Sequence, residues 1–252
     1  MTMNFAMQAM DHIINSAAKI HYMSAGDLRC PIVFRGLNGS SAGVAAQHSQ
    51  CFAAWFSSCP GLKVVSPWNC ADARGLLKAA IRDENPVVVL ENEIMYGQTF
   101  SLTPEEMDKD FLLDLSKLKV EREGTDVTLA GFAKMVSYSL EAAEILQREH
   151  GISAEVLNLR TLRPLDREGI VRSVVKTNRL VTVEEGWPQS GVGAELCAVV
   201  MEEPGAFDHL DAPVERITGA DIPMPYSINL ERAAVPQVQN IVNAALRVCY
   251  RQ

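Results

Sequence analysis

The chain has 252 residues, of which 48% are hydrophobic and 21% are charged, and its formal net charge at pH 7 is −8. This composition excludes a chain that is disordered throughout, because such chains contain too few apolar residues to form a core. The acidic balance argues against nucleic acid as a partner, since phosphate groups are bound by basic surfaces. No segment approaches the ~18 continuous apolar residues of a membrane span. The six cysteines form no Cys-x-x-Cys pair, which argues against a zinc site and favours reduced thiols.

The first predicted element is a helix near the start of the chain, where apolar residues recur at helical spacing between Phe5 and Ala18. This segment lacks the basic start and the smooth apolar core of a signal peptide, because Asp11 and His12 interrupt it. The chain opens inside this helix, with no strand before it. We therefore expect that the sequence is truncated at its N-terminus.

Residues 31–91 alternate between apolar strands and helices. The predicted elements are a strand at 31–35, a loop of small residues at 36–48, a short helix at 49–58, a strand at 62–66, a helix that Asn69 caps and that ends before Pro86, and a strand at 87–91. The strands contain continuous runs of apolar residues, most of them Val, Ile or Leu. Such runs, alternating with helices, are typical of a parallel sheet that is covered on both faces.

The next segment is polar, acidic and irregular, and we interpret residues 106–123 as a linker with a short strand at 117–121. A second alternating series follows, with predicted strands at 126–132, 154–159, 180–184 and 214–218 and predicted helices at 134–150, 166–177, 192–201 and 236–248. The sequence therefore predicts an α/β fold of two three-layer units with mainly parallel sheets. The predicted domains are residues 1–105 and 124–252.

The loop between the first strand and the next helix is a candidate ligand site. Its three glycines and its serines let a ligand approach the backbone, and ligands of open α/β sheets bind beyond the carboxyl ends of the strands. The loop matches neither the P-loop nor the dinucleotide-binding fingerprint. His48, at its end, is a candidate for proton transfer or oxyanion contact in a cleft. The alternative is a histidine that caps the helix or lies on the surface.

A second candidate is the end of the helix before Pro86. Its last carbonyl groups have no intrahelical partner and carry the negative end of the helix dipole, and Asp83 and Asn85 add side-chain oxygens. A cluster of hard oxygens suits a monovalent or a hard divalent cation. The alternative is an ordinary helix end that the proline terminates.

Charged residues also follow two strands of the second unit. Arg160 and Arg163 come after one strand and Glu184 and Glu185 after another, so these four side chains could pair across the strand ends, by default as structural ion pairs. The glycine-rich turn that follows, at residues 186–195, leads into a helix whose N-terminus could receive an anion.

Several segments, taken in order, resemble one family over nearly the whole chain. They are MTMNFAMQAMDHIINSAAK, PIVFRG, GVAAQHSQ, CPGLKVVSPWN, AIRDENPVVVLENE, LNLRTLRPLD, VTVEEGWPQSGVGAE and ITGADIPMPY. These long motifs are similar to the beta subunits of the pyruvate dehydrogenase (acetyl-transferring) component. The form GVAAQHSQ resembles the pyruvate enzyme, whereas its branched-chain 2-oxo acid relative is expected to carry a tyrosine before the histidine.

The resemblance implies thiamine diphosphate chemistry in an α2β2 heterotetramer. The beta subunit would supply a pyrimidine-binding domain and a transketolase C-terminal domain, and the alpha subunit would hold the diphosphate and magnesium. The resemblance also implies that Phe5 stacks on the aminopyrimidine ring with Gln8 beside it, and that His48 faces the reactive carbon and the incoming lipoyl group. It further implies a potassium site formed by Ile32, Ala80, Ile81, Asp83 and Asn85.

The implied reaction is the oxidative decarboxylation of pyruvate in the mitochondrial matrix. The acetyl group passes to lipoyl-lysine of a dihydrolipoyl acetyltransferase core, which feeds acetyl-CoA formation. The family's glutamate that binds the pyrimidine ring precedes the first helix and does not occur in this sequence, so we expect the isolated chain to be inactive. The alternatives are a branched-chain 2-oxo acid dehydrogenase subunit, another transketolase-like subunit, or a non-catalytic assembly fragment.

Overall fold

The computed structural model of the protein describes residues 2–40 and 42–251, and these residues form two β-sheets. The strands in these ranges are β1 (Val33–Leu37), β2 (Lys63–Val65), β3 (Val87–Glu91), β4 (Lys119–Arg122), β5 (Val127–Gly131), β6 (Ala154–Asn158), β7 (Thr161–Arg163), β8 (Leu180–Val183) and β9 (Glu215–Ile217).

Helices pack on both sheets. The α-helices of the described residues are α1 (Ile20–Met23), α2 (Ala53–Ser57), α3 (Cys70–Arg82), α4 (Pro104–Met107), α5 (Lys134–Ile145), α6 (Arg167–Thr177), α7 (Val192–Glu202), α8 (Pro204–Phe207), α9 (Ile228–Ala234) and α10 (Val238–Val248). Tighter 3-10 segments lie at Met3–Ala9, Ala46–His48 and Glu93–Gly97, and wider π-helical segments at His12–Ala17 and Leu146–His150.

The first sheet has the strand order β1-β3-β2-β7. The central strand β3 pairs in parallel with both β1 and β2, and all five of its residues are buried. The edge strand β7 pairs antiparallel to β2, although it comes from the second half of the chain. The sequence analysis missed β7 because three residues are too few to show a strand period. A strand of the second series therefore completes the first sheet.

The second sheet has the strand order β4-β6-β5-β8-β9. The neighbouring strands β6, β5, β8 and β9 pair in parallel, and β4 adds an antiparallel edge. The strand predicted at 117–121 is thus present as β4, within the segment that we interpreted as a linker. Both sheets are mainly parallel, which confirms the predicted α/β class.

The apolar core is shared between the two units. Val88 and Leu90 of β3 point into one hydrophobic cluster, whereas Val87 and Val89 point into another on the opposite face, as the two-residue period of a strand requires. The first of these clusters continues onto the second sheet, where it includes Leu157. The other face of the second sheet packs against α5 and α10. One hydrophobic cluster therefore includes residues of both sheets and holds the units together.

Three predicted helix ends are confirmed. The Asn69 side chain accepts a hydrogen bond from the Asp72 amide (2.8 Å) at the start of α3, and the Asp166 side chain accepts one from the Gly169 amide (3.1 Å) at the start of α6. Gly151 adopts a left-handed conformation (φ 66°) and ends the helical segment that begins with α5.

The N-terminal segment is helical, as predicted, but it is not one regular α-helix. A 3-10 segment at Met3–Ala9 is followed by a π-helical segment and by the four-residue α1. The tight first segment buries Asn4, whose side chain bonds to Thr2 and to the amide of Gln50 rather than to solvent. Such side-chain bonds to the backbone compete with regular helix geometry.

Among the described residues, no helix combines the length and the apolar character needed to cross a membrane. The six cysteines all carry free thiols, as predicted. They are Cys30, Cys51, Cys59, Cys70, Cys197 and Cys249.

Candidate functional site

Residues 38–48, which we call the histidine loop, follow the carboxyl end of β1. The loop is closed at its base by hydrogen bonds of its first residues. Asn38 donates its amide to a backbone oxygen at the end of β3 (2.6 Å), and its side-chain oxygen accepts from the amide of Phe52 (2.6 Å). The amide of Gly39 donates to the carbonyl of Gln50 (3.0 Å). The loop therefore begins and ends near the carboxyl ends of β1 and β3 in the first sheet.

His48 lies beside Phe5 although the two are distant in the sequence. The 3-10 turn Ala46–His48 carries the histidine at the end of the loop. The side-chain oxygen of Asn4 accepts a hydrogen bond from the amide of Gln50 (3.2 Å), which ties the N-terminal segment to the end of the loop. As a result, the ring centroids of Phe5 and His48 are 5.3 Å apart with an interplanar angle of 45°.

Both side chains of this pair have groups that remain available to a ligand. Phe5 is 46% exposed, so a large part of this aromatic residue is available to a ligand. The Nδ1 atom of His48 is buried and has no hydrogen-bond partner among the described residues. Buried polar atoms are nearly always paired, so an unpaired imidazole nitrogen suggests a ligand or a proton-transfer role. Gln8 is exposed, and its side chain forms no hydrogen bond with either residue within the described ranges.

The end of α3 brings Asp83 and Asn85 together, as predicted. One oxygen of the Asp83 carboxylate accepts hydrogen bonds from the amide and the side chain of Asn85, both at 2.9 Å. The other oxygen forms an ion pair with the ammonium group of Lys63. Burial acts to raise the pKa of Asp83, but the hydrogen bonds from Lys63 and Asn85 outweigh it and hold that pKa below its usual value.

The remaining oxygens predicted for a cation are backbone carbonyls. The carbonyl of Ala80 accepts from the Asp83 amide (3.3 Å), and that of Ile32 accepts from the Val87 amide (2.9 Å). Each keeps a second lone pair, and Ile81 adds a further carbonyl at the same helix end. Within the described ranges, no three His, Cys, Asp or Glu side chains converge as a metal-binding group.

The two arginines of the second unit do not contact the two glutamates that we considered as their partners. Arg160 Nε lies 2.7 Å from Asp72 Oδ1, in an ion pair whose N–H is not aligned as a hydrogen bond. Arg163 donates to the carbonyl of Ser57 (2.8 Å). Both arginines therefore connect the second unit to the first.

Glu184 supplies the anion at the N-terminus of α7. Its carboxylate is 2% exposed and accepts hydrogen bonds from the amides of Val192 (3.0 Å) and Gly193 (2.7 Å). Burial raises the pKa of Glu184, although these two amides act in the opposite direction. The helix N-terminus that we considered for an external anion is thus occupied by a side chain of the same chain.

Three side chains that shape this region were missed by the sequence analysis. Asn4 and Asn38 hold the two ends of the histidine loop, and Lys134 lies buried beside Ser40 of the loop. An asparagine that directly follows a strand is a usable signal, since it often bonds to nearby backbone. A lysine that opens a helix shortly after a buried strand is another signal.

A cavity of about 910 Å³ lies away from this site, lined by residues that include Lys63, Arg163 and Ser190. Neither Phe5 nor His48 lines it. We place the candidate site at Phe5 and His48 because the unpaired imidazole and the open ring lie there, whereas Lys63 and Arg163 are already paired.

Two family models match the chain. The pyrimidine-binding domain of transketolase matches residues 1–98, and the C-terminal domain of transketolase matches residues 116–241. The second match alone spans half of the chain.

Curated relatives match the chain along its full length. The mitochondrial pyruvate dehydrogenase E1 component subunit beta-1 of Oryza sativa subsp. japonica is 65% identical over 251 residues, which are 100% of this chain and 66% of the relative. The E1 subunit beta of Dictyostelium discoideum is also 65% identical, over 100% of this chain and 70% of the relative. The human subunit is 62% identical over 97% of this chain and 67% of the relative. The chain spans about two thirds of the length of these relatives.

A solved structure shares the fold of the chain. It is described as a split-gene transketolase in an inactive beta4 tetramer, and it matches with a TM-score of 0.75 and 25% identity over 99% of this chain and 74% of that chain. The two mainly parallel sheets are consistent with the two family models, and the curated relatives named above are beta subunits of the same enzyme component. The chain therefore belongs to the family of pyruvate dehydrogenase E1 component beta subunits, which combine a transketolase pyrimidine-binding domain with a transketolase C-terminal domain.

Proposed function

We propose that this chain acts as the beta subunit of a pyruvate-decarboxylating component. Together with an alpha subunit it would decarboxylate pyruvate and pass the acetyl group to lipoyl-lysine, which feeds acetyl-CoA formation. The observation that carries this proposal is the open Phe5 ring beside the unpaired imidazole of His48, beyond the carboxyl end of β1. The identity of 62–65% to pyruvate dehydrogenase subunits supports pyruvate as the substrate.

The proposed cofactor is thiamine diphosphate. The exposed ring of Phe5 suits a flat aminopyrimidine, and we assign Gln8 to its edge. We assign the diphosphate and its magnesium ion to the alpha subunit. When bound, the cofactor would supply the carbon nucleophile and delocalise the negative charge that remains after loss of carbon dioxide.

We assign His48 to proton transfer toward the lipoyl group. When the lipoyl disulfide opens, one sulfur takes the acetyl group and the other takes a proton, which the imidazole can donate. The turn Ala46–His48 supports this role because it holds the imidazole at the end of a loop of small residues, where a long acceptor arm can enter. Phe5 lies beside this position, with its ring centroid 5.3 Å from that of His48.

The proposed partners and location follow from the family. An alpha subunit would complete an α2β2 heterotetramer, and a dihydrolipoyl acetyltransferase core would receive the acetyl group. Relatives from a plant, an amoeba and a mammal are named mitochondrial, which supports the mitochondrial matrix as the location.

The proposal is tested by extending the chain at its N-terminus with the segment of a close relative that carries the family's glutamate, and by assembling it with the alpha subunit of that relative. We expect the complex to release carbon dioxide from pyruvate faster than from branched-chain 2-oxo acids, and to reduce a lipoyl acceptor. The isolated chain is expected to show no turnover with thiamine diphosphate and magnesium, because it lacks the diphosphate-binding partner. Preference for a branched acid would identify the branched-chain enzyme instead. Assembly without any turnover would identify a non-catalytic role, and turnover by the chain alone would contradict the need for the alpha subunit.

We further propose that potassium binds at the end of α3. Carboxylate, amide and carbonyl oxygens are the donors that such an ion uses, and Asp83 provides the formal charge. The ammonium group of Lys63 now neutralises that charge, so the ion would have to displace it. Ile32 precedes β1, which leads into the histidine loop, so an ion bound there would connect the helix end to the candidate site.

Replacing Asp83 with alanine is expected to abolish stabilisation by potassium. At a concentration of about ten times Kd, bound potassium would stabilise wild type by about 1.4 kcal/mol, which corresponds to roughly 3–6 °C in Tm. The measurement is the difference in Tm between potassium chloride and tetramethylammonium chloride. We expect the difference to vanish in Asp83→Ala and to grow in Lys63→Met, where the competing ammonium group is gone. An exposed carboxylate on the linker, Asp108→Ala, serves as the control. An equal difference in wild type and Asp83→Ala would refute the site.

A further inference from the structure

The histidine loop is held by two acidic side chains that come from the second unit. Ser40 is buried, and both its amide and its hydroxyl donate to Oε2 of Glu185, over 2.9 and 3.0 Å. The amide of Gly43 donates to Oε2 of Glu231 over 2.8 Å. The partners are 145 and 188 residues apart in the chain, so only the assembled fold creates these contacts.

Glu185 itself is held by a buried lysine. Glu185 follows the carboxyl end of β8 and Lys134 follows that of the neighbouring β5, so the sheet topology brings them together. Lys134 is 7% exposed, and its Nζ lies 3.4 Å from Glu185 Oε1 and 3.5 Å from the Ser40 hydroxyl. Asn92 donates to the same Oε1 atom over 3.2 Å. These partners compensate the charge of a carboxylate that would otherwise be costly to bury.

The loop fits closely around the Glu185 carboxylate. Gly39 has φ 87°, and a Cβ atom at this position would lie 2.5 Å from Glu185 Oε2. Only glycine therefore permits both this conformation and this approach. The loop is shaped to receive a carboxylate at this point.

Backbone strain lies between these contacts and His48. Ala45 adopts φ 64° and ψ −163°, a conformation that residues with a Cβ rarely adopt, directly before the turn that carries the histidine. Ala133, which precedes Lys134, also has a positive φ of 50°. Strained conformations persist only when surrounding contacts hold them. The direction of His48 therefore depends on what holds the loop.

We propose that Glu185, together with Lys134, and Glu231 are positioning residues that fix the histidine loop so that His48 stays beside Phe5. They act through the loop and touch no reacting atom. The catalytic part of this inference rests on the proposed function of His48, whereas the holding of the loop does not.

The two glutamates differ in whether their negative charge is needed to hold the loop. Glu185 faces the ammonium group of Lys134, so its negative charge matters as well as its oxygen atoms. Glu231 accepts one backbone hydrogen bond and forms no ion pair within the part of the chain that the structure describes. A glutamine should therefore replace Glu231 fully and Glu185 only in part.

The first measurement is hydrogen exchange of the peptide that covers residues 38–48, in the full chain. We expect Glu185→Ala to speed exchange of the loop amides by about tenfold or more, since a hydrogen bond to a charged acceptor is lost. Glu231→Ala should speed exchange around Gly43, and Glu231→Gln should match wild type. Glu185→Gln should lie between wild type and Glu185→Ala. The matched control is Glu141→Ala, an exposed glutamate on α5. Unchanged exchange in both alanine variants would overturn the holding of the loop.

The second measurement separates positioning from general stability. In the complex with the alpha subunit, Glu185→Ala should slow reduction of a lipoyl acceptor by up to about 10²-fold, while carbon dioxide release with an artificial electron acceptor falls much less. An equal loss in both assays would overturn the positioning role. If Glu185→Ala does not fold, the test uses Glu185→Gln instead. Hydrogen exchange at the wild-type rate in that variant would contradict the proposed role of Lys134. An inactive wild-type complex would refute the proposed function, but the exchange measurement would still decide whether the loop is held.

Discussion

Replacement of His48 by alanine in the assembled complex, with the N-terminal segment of a relative restored, is expected to slow acetyl transfer to a lipoyl acceptor by about 10²–10⁴-fold, the usual loss when a proton-transfer group is removed. Carbon dioxide release with an artificial electron acceptor should change much less, because that assay does not need a proton at the lipoyl sulfur. Cofactor binding should persist, since Phe5 remains in place. The measurement is the ratio of the two rates in wild type and variant.

The control for this variant is His150→Ala, an exposed histidine at the end of a helical segment of the second unit. It should leave both rates unchanged. Full lipoyl-dependent activity in His48→Ala would show that this histidine only shapes its loop. An equal fall in both rates would place its role before acetyl transfer.

Replacement of Asp72 by alanine is expected to cost about 3–5 kcal/mol of stability, the typical loss when one partner of a buried ion pair is removed. Asp72 is fully buried at the start of α3, 2.7 Å from the guanidinium group of Arg160. Its other oxygen accepts from the side chain of Asn158 (2.8 Å) and from the amide of Trp68 (3.2 Å). Alanine would leave the Arg160 charge and the Trp68 amide without this partner, and Asn158 would keep only its hydrogen bond to Glu121 (3.0 Å). At about 2–4 °C per kcal/mol for a chain of this size, Tm should fall by roughly 6–20 °C.

Calorimetry of the single and double variants checks this expectation. Arg160→Ala combined with Asp72→Ala should cost less than the sum of the two single changes, because the second removal leaves no further unpaired charge. Asp208→Ala, an exposed aspartate, should leave Tm unchanged. A fall of only a degree or two in Asp72→Ala would mean that the ion pair contributes little to the contact between the units.

Elements with strong local signals were predictable from the sequence. The strand at 87–91 is an unbroken apolar run between Pro86 and a polar turn, and it forms β3 with the predicted bounds. The helix between Asn69 and Pro86 carries both a cap and a stop, and α3 lies between them. By contrast, β7 is a strand only because β2 lies beside it, so no local pattern could indicate it.

The candidate site also contains residues that the local sequence indicates and contacts that it does not. The oxygen cluster of Asp83 and Asn85 could be predicted from the residue types and from the position of the helix end. The ion pair of Asp83 with Lys63 could not be predicted, because it depends on the pairing of β2 with β3. The residues alone identified His48 as one of several candidates. The family resemblance implied that both His48 and Phe5 face the cofactor, but the contact between their rings was not predicted, because it depends on a hydrogen bond between Asn4 and Gln50. The proposed domain bounds of 1–105 and 124–252 rest on the same kind of local reading.

The strand β7 also determines how this fold can be recombined. The chain leaves the first sheet after β3, builds part of the second sheet, and returns to the first sheet for Thr161–Arg163 before it continues. A chimera that joins the two family domains of different relatives at the linker would pair a β2 from one parent with a β7 from the other. A mismatch there would leave the backbone of β2 as an open edge, which invites association between chains. A chimera should therefore take the first domain and β7 from the same parent. This requires junctions on both sides of that strand.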